Sequence, residues 1–256
     1  RNLKNIQVGK FGDFGIFSFQ AMKNVQSLMG GVIITNNNHF SKWIEGELSK
    51  LEEISFKTIL HKLIFIFCVD FLTRVKFINF VFFQVLKKAY KNNINFILKL
   101  IRADHFPSSS LQSPRYYFKN MTNTQAEFIN IGLKNLKLDN QERLKKARIY
   151  HDNLEDCKYI KILSERNFNN RNHLEFPIIC EHKEELFNFL LMKNIDVRKF
   201  YYRNLASLDC YKEFNRICKN SELIESKIIT LPCYPEFKTK NMYKIINTIK
   251  QFYFHK

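Results

Sequence analysis

Residues Gly9–Asn24 read GKFGDFGIFSFQAMKN, and Gly30–Asn36 read GGVIITN. Each contains a short β-type run, Phe14–Phe19 in the first and Val32–Thr35 in the second, bounded by glycine or asparagine. The connection between the runs, Gln20–Gly31, leaves the end of one strand and returns to the next. Side chains at a strand end are held by the sheet yet open to a cleft, where α/β proteins place reactive groups. The pattern therefore predicts two strands joined by a connection suited to chemistry.

Length and composition indicate a globular protein. With 256 residues and 45% hydrophobic content, the chain can form one large domain or two small ones. It opens at Arg1 with no secretion signal, and the absence of an initiator methionine suggests a fragment. Six cysteines lie far apart without a CxxC pair, so we expect no zinc site, no disulfide framework and a cytoplasmic setting.

The formal charge of +17 raises the question of nucleic-acid binding, because clustered lysine and arginine attract phosphate. The basic residues are instead spread among asparagine, isoleucine and phenylalanine, a mixture typical of AT-rich codons. No basic face interleaved with stacking aromatic residues is recognisable. We therefore expect a solvated basic surface and no specific nucleic-acid partner.

Residues 51–102 are densely apolar and aromatic, and charged residues interrupt them throughout. This pattern predicts amphipathic helices. Two interpretations stay open. The helices pack on the body of the protein or at a subunit interface, or they form a basic amphipathic surface in peripheral contact with a membrane. Charges recur too often for a spanning segment.

A Pro/Ser-rich loop at residues 106–114 is the predicted hinge. Beyond it, Thr122 and Gln125 match a capping box, in which each side chain bonds a backbone N–H at the start of a helix. One face of that helix is predicted to carry four apolar residues: Ala126, Ile129, Leu133 and Leu136.

The last hundred residues alternate strand-like and helix-like segments. Four elements are predicted: strand His173–Ile179, helix Lys183–Lys193, strand Ile195–Val197 and a helix after Thr239. Pro177 places the first strand at an edge or a bulge, because proline cannot donate to a ladder. Asn194 is the predicted C-cap of the first helix.

The segment around Lys23 has a long and specific pattern. It runs G-x-F-G-D, an apolar pair, Ser18-Phe19, a lysine five residues beyond the serine, and the double glycine Gly30-Gly31. It resembles the lysine segment of the DegT/DnrJ/EryC1/StrS aminotransferases. The helix after Thr122 and three later stretches also resemble that family, and residues 51–102 are like the long insertion of one of its branches. Those stretches are Leu174–Pro177, Asp196–Arg198 with Tyr201 and Tyr202, and Leu231–Pro235.

The resemblance implies an α/β fold, the type I, aspartate-aminotransferase-like fold of pyridoxal-phosphate (PLP) transferases. The large domain would be truncated at its N-terminus, and an α+β lobe would follow it. Residues 1–50 would be the C-terminal remnant of the PLP-binding large domain. Residues 51–115 would be an apolar helical insertion and hinge, and residues 116–256 the linking helix and small domain.

The resemblance also implies the site. Lys23 would bind the aldehyde of PLP through its amine and then act as general base and acid. Ser18 would donate its hydroxyl to the cofactor phosphate, although a strand-end serine bonded to backbone explains it too. Gly30 and Gly31 would allow a close backbone approach, which a plain turn explains nearly as well. No metal is implied.

Two departures from the family pattern stand out. Met29 occupies the position before the double glycine, where family members usually carry an acid. Phe118 occupies the position of an asparagine that often reaches the neighbouring subunit's phosphate, and Asn120 lies close by. The family's phosphate-binding helix, stacking aromatic and pyridine-pairing acid precede the lysine segment. We therefore expect weak or absent PLP binding and little catalysis from these 256 residues alone.

The leading hypothesis is a PLP-dependent aminotransferase acting on a nucleotide-linked keto-sugar, with glutamate as amino donor, in polysaccharide or lipopolysaccharide biosynthesis. A homodimer is expected. The alternatives are a catalytically inactive remnant or interaction protein, and a basic nucleic-acid-binding protein with strongly salt-dependent binding.

Overall fold

The computed structural model describes residues 2–3, 6–74, 76–101, 118–162, 168–199, 203–214, 216–254 and 256. The predicted hinge at 106–114 and the residues Tyr201 and Tyr202 lie outside this part. The chain forms two compact units. The first comprises residues 1–71, 112–141 and 167–174, and the second comprises residues 72–111, 142–166 and 175–256.

The first unit contains an antiparallel hairpin. The elements along this part of the chain are β1 (Asn2–Leu3), β2 (Ile6–Gln7), β3 (Phe14–Ser18), β4 (Gly31–Thr35) and α1 (Asn38–Ser49). β3 pairs with β4 so that Ser18 lies opposite Gly31 and Phe14 lies opposite Thr35. Both predicted strands are thereby confirmed. The loop that connects them brings the chain from the end of β3 back to a position beside it at the start of β4.

Three helices occupy the apolar stretch: α2 (Phe56–Arg74), α3 (Lys76–Lys91) and α4 (Asn95–Ile101). The prediction of helices is confirmed. α3 and α4 bury Leu86, Ala89 and Leu98, as amphipathic helices packed on a protein do. α2 differs, because Ile59 alone is buried among its described side chains. Among the described residues, no helix has both the length and the apolarity needed to cross a membrane.

A long helix, α5 (Asn123–Leu154), begins at the predicted capping box. The Thr122 amide donates to Gln125 Oε1 at 3.1 Å, and the Gln125 amide donates to Thr122 Oγ1 at 3.4 Å. The predicted apolar face is correct only in part. Ile129 is buried and Leu136 packs against it, whereas Ala126 and Leu133 are exposed. The buried face of α5 starts instead at Gln125, and the polar side chain of Gln125 points into the protein.

The second unit contains a three-stranded antiparallel sheet in the order β5 (Ile160–Ile162), β6 (Glu175–Cys180), β7 (Ile228–Pro232). Its helices include α6 (Lys183–Met192), α7 (Lys219–Lys227) and α8 (Thr239–Phe254). The predicted helices after Lys183 and Thr239 are confirmed. Asn194 follows α6 at φ 57°, the left-handed conformation typical of a helix end. The core joins the sheet to α6 and α8 through Ile178, Ile229, Leu231, Leu186, Leu190, Met242, Ile246 and Ile249.

Two predictions for this unit are wrong. Ile195–Val197 form no strand, and pairing with β7 is limited to a single bridge between the next residue, Arg198, and Thr230. β6 is the middle strand, so Pro177 does not mark an edge. The described pairing of β5 with β6 runs from Cys180 to Ile178, and Pro177 pairs with Thr230 of β7.

Candidate active site

Lys23 lies in the loop that connects β3 to β4. Two backbone bonds close the base of this loop: the Phe19 amide donates to the Gly30 carbonyl at 2.9 Å, and the Ser27 amide donates to the Phe19 carbonyl at 2.8 Å. The Lys23 amide donates to the Gln20 carbonyl at 3.2 Å, which tightens the turn that carries the lysine. The Lys23 side chain stays partly exposed. The loop is therefore fixed at its base and leaves the lysine accessible.

Helix α5 holds the returning half of this loop through Gln125. The Gln125 side chain is fully buried, and its Nε2 donates to the carbonyls of Ser27 at 3.0 Å and Met29 at 3.2 Å. The Ser27 hydroxyl donates to the same Met29 carbonyl at 2.8 Å. The capping residue of α5 thus also satisfies two loop carbonyls that burial would otherwise leave unpaired.

Apolar and polar contacts extend this attachment to the residues beside Lys23. Phe19 and Val25 pack with Ile129 of α5 in one buried cluster. The side-chain Nδ2 of Asn24 donates to Asn140 Oδ1 at 3.2 Å. Because Asn24 directly follows Lys23, α5 fixes the backbone on the C-terminal side of the lysine.

Ser18 is the last residue of β3 and is exposed. Its Oγ accepts from the Gln20 amide at 3.4 Å, which leaves the hydroxyl proton for another acceptor. Opposite it, Gly31 is required, because a Cβ there would lie 2.7 Å from the Phe17 carbonyl oxygen. An accessible primary amine and an accessible hydroxyl therefore flank one loop. Such groups fit a ligand that carries a carbonyl group and an anionic group.

The sequence pattern of the DegT/DnrJ/EryC1/StrS aminotransferase family matches residues 2–56 and 111–250. The chain belongs to this family. The match includes Lys23 and Ser18 and leaves out most of α2, α3 and α4.

Several proteins of this kind are similar to the chain. A dTDP-4-amino-4,6-dideoxy-D-glucose transaminase of Shigella dysenteriae is 27% identical over 138 residues, which are 51% of this chain and 38% of that protein. The crystal structure of a DegT DnrJ EryC1 StrS aminotransferase from Brucella abortus matches 98% of this chain and 53% of its own, with a TM-score of 0.63 and 19% identity. Helicobacter pylori PseC, an aminotransferase involved in pseudoaminic acid biosynthesis, matches 100% of this chain and 57% of its own, with a TM-score of 0.65 and 17% identity.

These structures confirm the predicted fold class, the α/β fold of the family's PLP-dependent transferases. The chain spans about half the length of the solved structures that it matches.

The structure explains one departure from the family pattern. Met29 is buried in an apolar cluster with Ile54 and Ile59, and Leu28 packs against it. An ionised acid at this position would lose its hydration without a described basic partner in that cluster. Methionine before the double glycine is therefore matched to its surroundings in this chain.

The side chain of Asn120 forms hydrogen bonds within its own chain. Its Nδ2 donates to the carbonyls of Leu48 at 2.5 Å and Leu51 at 3.2 Å, and its backbone bridges to Glu53. Phe118, in the position aligned with the family's asparagine, is exposed. The side-chain amide of Asn120 thus holds the end of α1 and the residues that follow it in place.

Other ionisable groups lie in the second unit. His151, buried near the end of α5, has Asp152 Oδ1 at 3.3 Å and Glu155 Oε2 at 3.5 Å from its Nδ1. The absence of a metal stays a prediction. Burial raises the pKa of both the Cys180 and the Cys233 thiol to about 12, so both are protonated at neutral pH. They donate to the carbonyls of Lys227 and Arg143 and so support packing.

Proposed function

We propose that the protein is a PLP-dependent aminotransferase that converts the keto group of a nucleotide-linked sugar into an amino group. Glutamate is the proposed donor, and polysaccharide or lipopolysaccharide biosynthesis the proposed setting. Residues 1–50 are the proposed C-terminal part of the PLP-binding domain, 51–115 an insertion and hinge, and 116–256 the linking helix and small domain. The observation that carries the proposal is an accessible Lys23 on a loop that α5 holds in place. The named activities of the Shigella and Helicobacter relatives support the sugar substrate.

Lys23 is the proposed attachment and catalytic residue, and Ser18 the proposed donor to the cofactor phosphate. The Lys23 amine, when neutral, can bind an aldehyde and can accept and return a proton. PLP, when bound, supplies a conjugated ring that accepts negative charge from the reacting carbon. Gln125 and Asn140 keep the loop backbone fixed, so that the amine is presented from one position.

Reductive trapping tests the role of Lys23. The protein together with the upstream PLP-binding elements of its family is incubated with PLP, reduced with borohydride and digested, and the adducts are located by mass spectrometry. We expect the adduct at Lys23 and its loss in Lys23→Ala, while Lys10→Ala, which removes an exposed lysine of the same unit, retains it. Ser18→Ala should raise the PLP concentration needed for half-maximal trapping. Adducts spread evenly over exposed lysines would contradict the assignment.

Amine transfer tests the substrate class. The same longer protein, with the upstream PLP-binding elements present, is supplied with PLP, glutamate and a panel of nucleotide-linked keto-sugars, and 2-oxoglutarate and the amino sugar are measured by mass spectrometry. We expect both products for at least one sugar, and neither with Lys23→Ala. Lys23-specific trapping without transfer to any sugar would refute the substrate class and leave the lysine assignment standing.

We also propose a homodimer, a cytoplasmic location and a peripheral contact between residues 51–102 and a membrane. Sedimentation velocity should give twice the chain mass of 30.8 kDa for the dimer. All six cysteines are free thiols, which fits a reducing compartment. The exposed apolar side chains of α2 support the membrane contact.

A further inference from the structure

The turn that carries Lys23 contains a residue in the left-handed backbone conformation. Met22 has φ 77°, and it is the third residue of the turn that the Lys23 amide closes on the Gln20 carbonyl. A positive φ at the third position is typical of a type II turn, where glycine or asparagine is usual. For other L residues this conformation is unfavourable, because the Cβ atom comes too close to the following carbonyl oxygen. The chain is therefore strained immediately before its proposed catalytic lysine.

Burial of the Met22 side chain does not offset this strain. The side chain is 56% exposed, so packing does not account for a methionine at this position. Asparagine would adopt the same backbone conformation at a lower cost, and glycine would adopt it without strain. Strained residues persist where the surrounding structure over-determines them, and they concentrate at functional sites.

Hydrogen bonds across the loop hold Met22 in this conformation. Its amide donates to Gln26 Oε1 at 3.3 Å, and the amide before it, that of Ala21, donates to the Leu28 carbonyl at 3.3 Å. Leu28 is left-handed as well, with φ 71°, but its side chain packs against the buried cluster around Met29. Of the two left-handed residues other than glycine in this loop, Met22 is thus the one that packing does not explain.

The left-handed region is small for an L residue and wide for glycine. A methionine held in this region therefore has little backbone freedom, whereas a glycine at the same place would have much more. Because Lys23 follows directly, the backbone of Met22 sets the direction in which the lysine leaves the turn. On the other side of the lysine, Asn140 holds the side chain of Asn24. The backbone of Lys23 is therefore restrained from both sides.

We infer that Met22 is a positioning residue for Lys23. Its strained conformation restricts the lysine to one direction and lowers the stability of the loop. Met22 takes no part in the chemical step, since it acts through the backbone that it shares with the lysine. This inference rests on the proposed role of Lys23 and deepens it.

Three substitutions at residue 22 separate positioning from stability, measured by thermal melts of the longer protein used for PLP trapping. Met22→Asn should raise Tm by about 2 °C, because asparagine tolerates the left-handed conformation. Met22→Gly should not lower Tm, since relief of strain offsets the greater freedom of glycine in the unfolded chain. Met22→Val should lower Tm by about 3 °C, because a β-branched residue is least able to adopt a positive φ.

Borohydride trapping at a fixed PLP concentration gives the rate of adduct formation at Lys23 in the same variants. We expect the parent rate for Met22→Asn and an about threefold lower rate for Met22→Gly, because glycine spreads the lysine over several directions. The control Asn194→Gly, at an exposed left-handed residue of the second unit, should keep the parent rate. Hydrogen exchange of the Lys23 amide should quicken in Met22→Gly, and this measurement needs no cofactor.

A merely structural role predicts a different order. If Met22 served stability alone, the trapping rate would follow Tm, and Met22→Gly would react at least as fast as the parent. Equal rates at Lys23 in the parent and in Met22→Gly would therefore overturn the inference and leave the role of Lys23 standing. A parent protein that forms no adduct at Lys23 would overturn the proposed function, and the inference with it.

Discussion

The hairpin β3–β4 and the sheet β5–β6–β7 are both antiparallel and apolar, yet they differ in burial. Ile178 and Ile229 in the sheet are fully buried, whereas Ile16 and Ile33 in the hairpin are 70% and 42% exposed. Strand pairing is thus satisfied in both places. In the described residues, α6 and α8 bury the sheet, whereas the hairpin contacts α1 through Phe14 and Phe40 and leaves Ile16 and Ile33 exposed. The first unit is instead held together by the loop between β3 and β4 and by the contacts of this loop with α5.

The largest expected difference between the two regions lies in core truncation. Ile229→Ala should lower the free energy of unfolding by about 3 kcal/mol, because it leaves a cavity in a closed core. The matched change Ile33→Ala in the hairpin should cost only about 0.5 kcal/mol, since water already reaches that side chain. Urea unfolding measures both values. Equal costs would show that the hairpin is covered in solution.

Gly30→Ala tests the hairpin loop where it is most constrained. Gly30 has φ 94°, and a Cβ there would lie 2.5 Å from Met121 Sδ. We expect a loss of about 2 kcal/mol, since an L residue is strained in this conformation and Met121 must also move. Gly46→Ala is the control, because its Cβ meets nothing within 4 Å in α1, and it should stabilise by about 0.5 kcal/mol. Thermal melts showing the same sign for both would contradict the constraint.

Gln125→Ala tests the attachment of the loop to α5. The change removes the capping contact and leaves the Ser27 carbonyl without its buried donor, at a cost of about 2 kcal/mol, while the Met29 carbonyl keeps the bond from the Ser27 hydroxyl. Hydrogen exchange should quicken at residues 19–30. Gln141→Ala, at an exposed position of the same helix, should leave exchange unchanged. Unchanged exchange in Gln125→Ala would mean that the strands alone hold the loop.

The smallest expected effect is a dependence of the second unit on alkaline pH, which should reach about 1 kcal/mol by pH 9.5. Burial raises the pKa of the Cys180 thiol to about 12, above the unfolded value near 8.5. The unfolded chain therefore loses this proton first, and stability is full below about pH 8.5 and falls as pH rises toward 12 by about 1.4 kcal/mol per unit at most. Cys180→Ser should flatten the decline, and Cys68→Ser, at an exposed thiol, should not. Urea midpoints between pH 8 and 9.5 measure the difference.

Local signals in the sequence predicted the elements that depend on neighbouring residues. The β-type runs, the pairing of Thr122 with Gln125 and the helix after Thr239 are of this kind. The strand expected at Ile195–Val197 failed because a strand needs a partner along its whole length, and β7 offers one residue. The bond between Asn24 and Asn140 joins positions 116 residues apart, and no local pattern reports such a contact.

For the candidate site, the sequence identified Lys23 and Ser18 through a family pattern, and their roles remain predictions. It missed the second function of Gln125, although the capping box pointed to that residue. A side chain that caps a helix normally faces solvent, so its burial against the loop required the tertiary structure.

Met29 has a consequence for chain engineering. Its side chain packs against Ile59, the first buried residue of α2, so the residue before the double glycine and the added helical segment form one module. Transplanting that segment into a relative with an acid at this position would bury a carboxylate under Ile59, and removing it from this chain would uncover Met29. Residue 29 and the added helical segment must therefore be exchanged together.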